Sequence, residues 1–291
     1  MASVASVLKR KDVQVAFALA GTIVLVYFGV LSSLVRQWSS DDNYSHGFFV
    51  LPLAAYFAWE RREMLSAAAR RPSLLGLLVI LGSLVVYTAG LLGAELFLAR
   101  ASMIGVIAGS VLFVWGWAHF RILMFPILFL LLMVPLPSII FNQIAFPLQI
   151  VASQAGEAVI TTAGIPVLRE GNILQLPSQT LEVAEACSGI RSLVSLLMLA
   201  IVLGYFTESR TGARVLIALA AVPIAIIANA ARVAGTGLMA EWVSPAAAEG
   251  FFHIFSGWLM FVVAFAGLLL VQLLLARVRG RKAQPVLAGA A

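Results

Sequence analysis

Apolar residues run in long blocks along this chain, and polar residues gather in the short gaps between them. Blocks near or above the ~20 residues that carry a helix across a bilayer fall at about 13–34, 47–60, 73–92, 96–118, 122–138, 189–207, 213–231 and 251–276. The pattern predicts an all-α polytopic membrane protein of about eight transmembrane helices, the second and fifth being short. Ala18-Leu19-Ala20 resembles a cleavage site but lies too early in its apolar run, so the first span reads as a signal anchor. No repeat, low-complexity tract or second soluble domain interrupts the chain, which is expected to form one membrane-embedded domain over 1–291.

Residues 139–188 depart from this pattern. Asn142, Gln149, Ser153 and Glu157 recur at spacings of seven, four and four, one stripe of an otherwise apolar helix. That helix is expected to lie in the outer interface with its stripe toward water or a cavity. The alternative, a further tilted span, would invert everything downstream and leave four C-terminal basic residues outside. After Pro166 the period shortens. Val167-Leu168-Arg169, the turn-like Glu170-Gly171-Asn172 and Ile173-Leu174-Gln175-Leu176 predict a hairpin, and Leu181-Glu182-Val183 alternates in the same way. A small β element therefore leads into the helix that opens at Ser188-Gly189.

Composition agrees with a membrane protein: 62% of residues are hydrophobic and only 11% charged, against roughly 25% charged in soluble domains. Charge then sets the orientation. Lys9, Arg10 and Lys11, then Arg61, Arg62, Arg70 and Arg71, then Arg121, Arg210 and Arg214, and finally Arg277, Arg279, Arg281 and Lys282 all fall on one side of an eight-span layout. These are 14 of the 19 lysines and arginines. The positive-inside rule makes that side the cytoplasm, with both termini inside. The net charge of +6 is thus a topology signal and no nucleic-acid partner is expected; the basic tail at 277–291 is expected to touch anionic membrane lipid. Residues 35–46, 139–188 and 232–250 must then face outward.

The one cysteine, Cys187, lies in Glu185-Ala186-Cys187-Ser188-Gly189-Ile190-Arg191 at the mouth of a span. It cannot form an internal disulfide, so packing or thiol chemistry remain. A helix N-terminus favours the thiolate, and Arg191 one turn deeper could add positive field. Glu182 and Glu185 would oppose ionisation unless paired, yet with Ser188 and Arg191 they make a poor setting for a cysteine that only fills space. Asn229 and Arg232 share a helix face at the outer end of the seventh predicted span. An arginine there can be a snorkelling anchor or part of an inward-facing site. His253, among aromatics, opens the last span. On this topology cysteine, arginine and histidine meet at one membrane depth, and acyl transfer needs such a nucleophile, oxyanion partner and proton carrier.

Taken in order, Glu185-Ala-Cys187-Ser-Gly-Ile-Arg191-Ser, Asn229-x-x-Arg232-Val and His253-x-x-Ser256-Gly257-Trp258 resemble the exosortase family of bacterial membrane transpeptidases. Asp42-Asn43-Tyr44-Ser45-His46-Gly47 resembles that family's D-x-Y-S-H-G motif. The resemblance runs from about residue 35 to 275 and fits the short form without an extra C-terminal domain. It implies Cys187, Arg232 and His253 as catalytic residues, and Asp42, Tyr44, Ser45, His46, Glu182, Glu185, Ser188, Arg191 and Asn229 are expected to support them or bind substrate. It implies substrates too: exported proteins ending in a Pro-Glu-Pro motif, a transmembrane helix and a basic tail. They would be cleaved through a thioester and passed to a surface acceptor, at the periplasmic face of the inner membrane. The related archaeal enzymes carry arginine where His253 lies, so histidine is not obligatory across the wider group. A guanidinium is a poor proton donor, which gives electrostatic stabilisation to Arg232 and acid–base work to His253.

Other readings fit less of the chain. No H-x-x-x-H or C-x-x-C spacing supports a metal, and no cofactor is expected. A non-enzymatic component of exopolysaccharide assembly or export leaves the cysteine, arginine and histidine unexplained. A transporter is disfavoured because ionisable groups collect at one face instead of lining the midplane. Arg100 is expected to pair with Glu95 or a neighbouring span, and His119 to be structural.

Overall fold

The computed structural model describes residues 11–183, 189–245 and 251–278; the side chains of 11–13 and 251–254 lie outside that description. The expected membrane domain is built as two compact units dividing between Pro137 and Ser138.

The first unit contains α1 (Lys11–Val26), α2 (Phe28–Ser40), α3 (Gly47–Glu60), α4 (Arg62–Ala67), α5 (Leu74–Leu92), α6 (Leu96–Val114) and α7 (Trp117–Phe129). A 3-10 turn at Leu130–Met133 continues α7. The predicted first span is bent, α1 and α2 meeting at 75°. At that bend Tyr27 is fully buried, and its hydroxyl and that of Ser102 are 3.0 Å apart. α5 and α6 approach closely because Gly105 and Gly109, four residues apart on α6, meet Ser83 and Ile80 where larger residues would clash. Phe57 of α3 packs edge-on against Phe125 and Phe129, with ring centroids 5.1 and 5.2 Å away. Arg100 pairs with a neighbouring helix, its Nη2 donating to Ser33 Oγ at 3.3 Å. Glu95 instead caps α6 by accepting from the Phe97 amide at 3.1 Å.

The second unit contains α8 (Ser138–Thr162), β1 (Leu168–Glu170), β2 (Ile173–Gln175), β3 (Thr180–Glu182), α9 (Ile190–Thr207), α10 (Thr211–Trp242) and α11 (Phe251–Val278). The strands form the expected small antiparallel sheet, with Glu170 opposite Ile173 and Gln175 opposite Thr180. Gly171 has φ +66° and Asn172 a negative φ, so glycine holds the first place of the two-residue turn, the type II′ requirement.

Two elements extend beyond the hydropathy pattern. α10 continues through the predicted outer boundary near residue 231 to Trp242; its 32 residues make it about 48 Å long. Its C-terminal turns are buried against protein, with Val233 and Ala240 in a cluster with Ala152 and Ile160 of α8, Leu174 of β2 and the strand-flanking Leu176 and Val183. α8, at 25 residues, is long and apolar enough to cross a membrane. Its polar stripe, expected to face water or a cavity, is exposed at Asn142 and turned against protein further along. Gln149 and Ser153 are buried; Ser153 Oγ donates to the Gly171 carbonyl at 3.0 Å. Asn172 Nδ2 donates to Gln149 Oε1 at 3.4 Å, and Arg169 bridges Glu157 at 2.7 Å. The sheet side of the unit thus covers Gln149 and Ser153 and engages Glu157, while Asn142 stays exposed.

Six described helices are long and apolar enough to span a membrane, or seven if the bent α1–α2 pair is one span. Gly47–Glu60 and the segment Trp117–Met133 are shorter apolar helices. The chain is an all-α polytopic membrane protein carrying a three-stranded sheet.

Candidate active site

In the second unit α8 and α10 pack against the sheet, and α9 and α11 each meet α10 near the same end. α8 and the outer half of α10 run parallel, Gly156 meeting Val233 and Ile160 meeting Gly237. α9 leaves this end, α10 returns to it, and α11 leaves it again. On the core side, alanine-rich α10 packs against α9 and α11 through Leu196, Ala200, Ala221, Ala225, Ala264 and Leu268. Small side chains permit that approach.

The sheet leads toward the cysteine segment. Val183 is 1% exposed. Its amide donates to the Asn172 carbonyl at 2.9 Å and its carbonyl accepts from Asn172 Nδ2 at 3.2 Å, so Asn172 clamps the chain just before that segment. Ser178, in the preceding loop, donates from its amide and hydroxyl to Glu241 Oε1 at 2.8 and 2.6 Å. Glu241 thereby fastens the loop to the last turn of α10. Neither role could be read from the sequence, because each depends on a partner distant along the chain.

Beyond the segment the chain re-enters helix at Gly189, the N-cap of α9, with φ +77°. Glycine is required there twice over. The conformation is left-handed, and a Cβ would stand 2.7 Å from Asn229 Cγ and 2.9 Å from its Nδ2. Asn229 is itself buried, and Leu148 of α8 lines the same crevice. Three residues along α10, the Arg232 guanidinium lies against α11: a Cβ on Gly257 would be 3.3 Å from Nη2 and 3.4 Å from Cζ. Position 253 is one turn before Gly257 on the same helical face. One stretch of α10 therefore touches a residue two places after Cys187 and a residue four places after His253.

The loop Asp42-Asn43-Tyr44-Ser45-His46-Gly47 belongs to the first unit. Its turns are closed by Asn43 N–H to Asp41 Oδ1 at 2.9 Å, Ser45 Oγ to the Asp42 carbonyl at 3.1 Å and Gly47 N–H to the Tyr44 carbonyl at 2.9 Å. Asp42 and Ser45 are exposed and Tyr44 is half-buried. His46 is buried, with Nε2 3.0 Å from the Leu132 carbonyl. Burial holds its imidazole below the ordinary 6.5, against the opposing hydrogen bonds with the Leu132 and Asn43 backbones. His46 ties this loop to the 3-10 turn.

A family model described as transmembrane exosortase matches residues 38–270. The chain belongs to the transmembrane exosortase family. No curated protein and no solved structure matches it. In this exosortase Arg232, Asn229 and Arg191 lie in the second unit, with Glu182 exposed at the end of β3. Cys187, Glu185 and Ser188 lie outside the described residues, and of His253 only the helical backbone is described.

Because Gly189 sets both the backbone turn and the fit to Asn229, Gly189→Ala should lower substrate processing about 100-fold, the scale of a 1 Å misplacement of reacting groups. Processing of a tagged substrate, followed in membranes at matched enzyme levels, checks this.

Proposed function

We propose that this exosortase is a cysteine protease and transpeptidase of the bacterial inner membrane, working at its periplasmic face. It would act on exported proteins bearing a C-terminal sorting signal: a Pro-Glu-Pro motif, a transmembrane helix and a basic tail. The observation that carries the reading is the packing of α10, with Asn229 against Gly189 and Arg232 against Gly257.

In the first half-reaction the Cys187 thiolate adds to a backbone carbonyl carbon near the motif. The carbonyl oxygen becomes an oxyanion, which the fixed charge of Arg232 stabilises. The C–N bond then breaks, the departing amine takes a proton from His253, and the thioester remains. In the second half-reaction an acceptor amine gives its proton back to His253, attacks the thioester and releases the thiolate. A guanidinium keeps its proton through such a cycle, which suits Arg232 to charge stabilisation and leaves proton transfer to the imidazole. The substrate's own membrane helix would deliver the cleavage motif to the end of the bundle where these groups belong.

Capture of the intermediate tests this. Purified exosortase incubated with a tagged sorting-signal substrate and no amine acceptor should accumulate a covalent adduct, released by neutral hydroxylamine and absent in Cys187→Ala. Cleavage with no labile adduct, or an adduct that survives in Cys187→Ala, would sink the thioester route.

A further inference from the structure

The first unit carries a half-open cavity of about 640 Å³, within the ~300–1,000 Å³ usual for small-molecule sites. It does not depend on the cysteine chemistry above, and none of its lining residues belongs to the motifs described so far. The walls are largely apolar, from Leu19 and Ile23 of α1, Leu51 of α3, and Met103 and Ile107 of α6. Its polar side chains are Ser66, Arg70, Ser110 and His119.

Three of these gather at one end. The Arg71 amide donates to the Trp115 carbonyl at 3.3 Å, which seats the Arg70–Arg71 segment at the junction of α6 and α7. His119 lies in the first turn of α7 at that junction, and Ser66 ends the short helix leading to Arg70. Far from this end the lining is Leu31, Leu130 and Met133. The cavity is therefore amphipathic along its length: cationic and hydroxyl groups at one end, hydrocarbon at the other.

Two observations point to an anion at the polar end. His119 lines this end and is only 6% exposed, and its Nδ1 has no hydrogen-bond partner among the described residues, so the ring brings an unsatisfied polar group to the cavity wall. The N-terminus of α7, in whose first turn His119 lies, carries no side-chain cap on Gly116. Its first amides and the helix dipole thus favour negative charge. Arg70 is exposed at the mouth, where a headgroup would sit at the water boundary. A cationic segment entering there would meet like charge.

We propose that this cavity holds one acyl chain of an anionic phospholipid, with the phosphate at the His119–Arg70 end. This is the arrangement by which basic crevices between membrane helices select acidic lipids on the face predicted here to be cytoplasmic. The lipid would fill a gap that the α1–α2 bend leaves in the first unit and bind α1, α4, α6 and α7 together.

The test uses the full-length protein, delipidated in detergent and titrated with phosphatidylglycerol, phosphatidylcholine of the same chains, and oleate, with native mass spectrometry as the readout. One phosphatidylglycerol should be retained per chain, at least tenfold more tightly than phosphatidylcholine or oleate. The pair Arg70→Gln with His119→Leu should remove the preference. Ile107→Trp, which puts a bulky ring across the acyl path and leaves the charge alone, should weaken retention at least tenfold, and it serves as the deciding variant if the charge pair does not fold. Equal retention of phosphatidylglycerol and phosphatidylcholine would mean ordinary boundary lipid and overturn the proposal. Retention of oleate as tight as phosphatidylglycerol would overturn the phospholipid assignment. A preference that survives Ile107→Trp would put the lipid elsewhere and overturn the cavity assignment.

Discussion

Cys187→Ala should abolish processing of a sorting-signal substrate, with a fall of about 10⁴-fold or more in turnover and no loss of assembled protein. Deleting a nucleophile removes the covalent route altogether, and what remains is the catalysis that positioning and electrostatics provide without it. The expectation of intact assembly has its own physical basis. The chain on both sides of the cysteine segment is held by other residues: Val183 by Asn172 and the buried cluster of α8, α10 and the sheet, and Gly189 by its fit to Asn229. Truncating one thiol between two such anchors leaves them in place. The measurement is cleavage of a tagged substrate in membranes, with detergent-resistant folding followed by thermal unfolding of the purified variant. Cys187→Ser separates chemistry from packing, since serine keeps nearly the same volume with a far weaker nucleophile. Processing by Cys187→Ala within tenfold of wild type would return the cysteine to a packing role.

Much of this architecture is legible in the sequence, and the parts that are not share a cause. Apolar runs and basic gaps locate most spans because membrane insertion is decided locally, residue by residue. The hairpin is legible because Gly171 at its turn and the alternation around it are local signals. The polar stripe on α8 reads as facing water or a cavity because its partners lie far along the chain. Gly171 accepts from Ser153 across 18 residues and Asn172 reaches Gln149 across 23. Helix α10 reads as ending near residue 231 because Arg232 and Glu241 look like boundary charges. In the structure that stretch is sheathed by α8 and the sheet, and Glu241 is engaged by Ser178. The break at Tyr27 is hidden because both flanking helices are apolar.

The same distinction governs the site. The order of the three motifs along the chain resembles the family, and the family match over 38–270 agrees. What the motifs do not disclose is which residue touches which. Gly189 and Asn229 are 40 positions apart, and Arg232 and Gly257 are 25 apart. Their contacts follow from how closely an alanine-rich α10 lets its neighbours approach. The cavity of the first unit is less legible still. His119 reads as a structural histidine, and its place in the cavity wall, with an Nδ1 that has no partner among the described residues, emerges only from the structure.

Arg232→Gln should lower kcat/KM by roughly 10²–10³-fold, the cost of removing one strong oxyanion partner, or about 2.7–4 kcal/mol. The loss should fall on kcat with KM little changed, because a charge that meets the oxyanion contributes only once that oxyanion forms. Arg232→Lys should recover part of the loss. It restores the charge but not the planar fork, and an ammonium on a flexible stem will not sit against Gly257 in the same way. Gly257 supplies the control that separates position from charge. A Cβ there would be 3.3 to 3.7 Å from the guanidinium atoms, so Gly257→Ala calls for a shift of a few tenths of an ångström and should cost less than tenfold. Gly257→Leu cannot share that space; it should displace the guanidinium and approach the Arg232→Gln rate with Arg232 still present. Steady-state kinetics on a soluble sorting-signal peptide measure all four variants on one scale. If Arg232→Gln raises KM and leaves kcat intact, the arginine binds substrate and does not stabilise the transition state. If Gly257→Leu is as active as wild type, the contact between α10 and α11 does not position the group that acts.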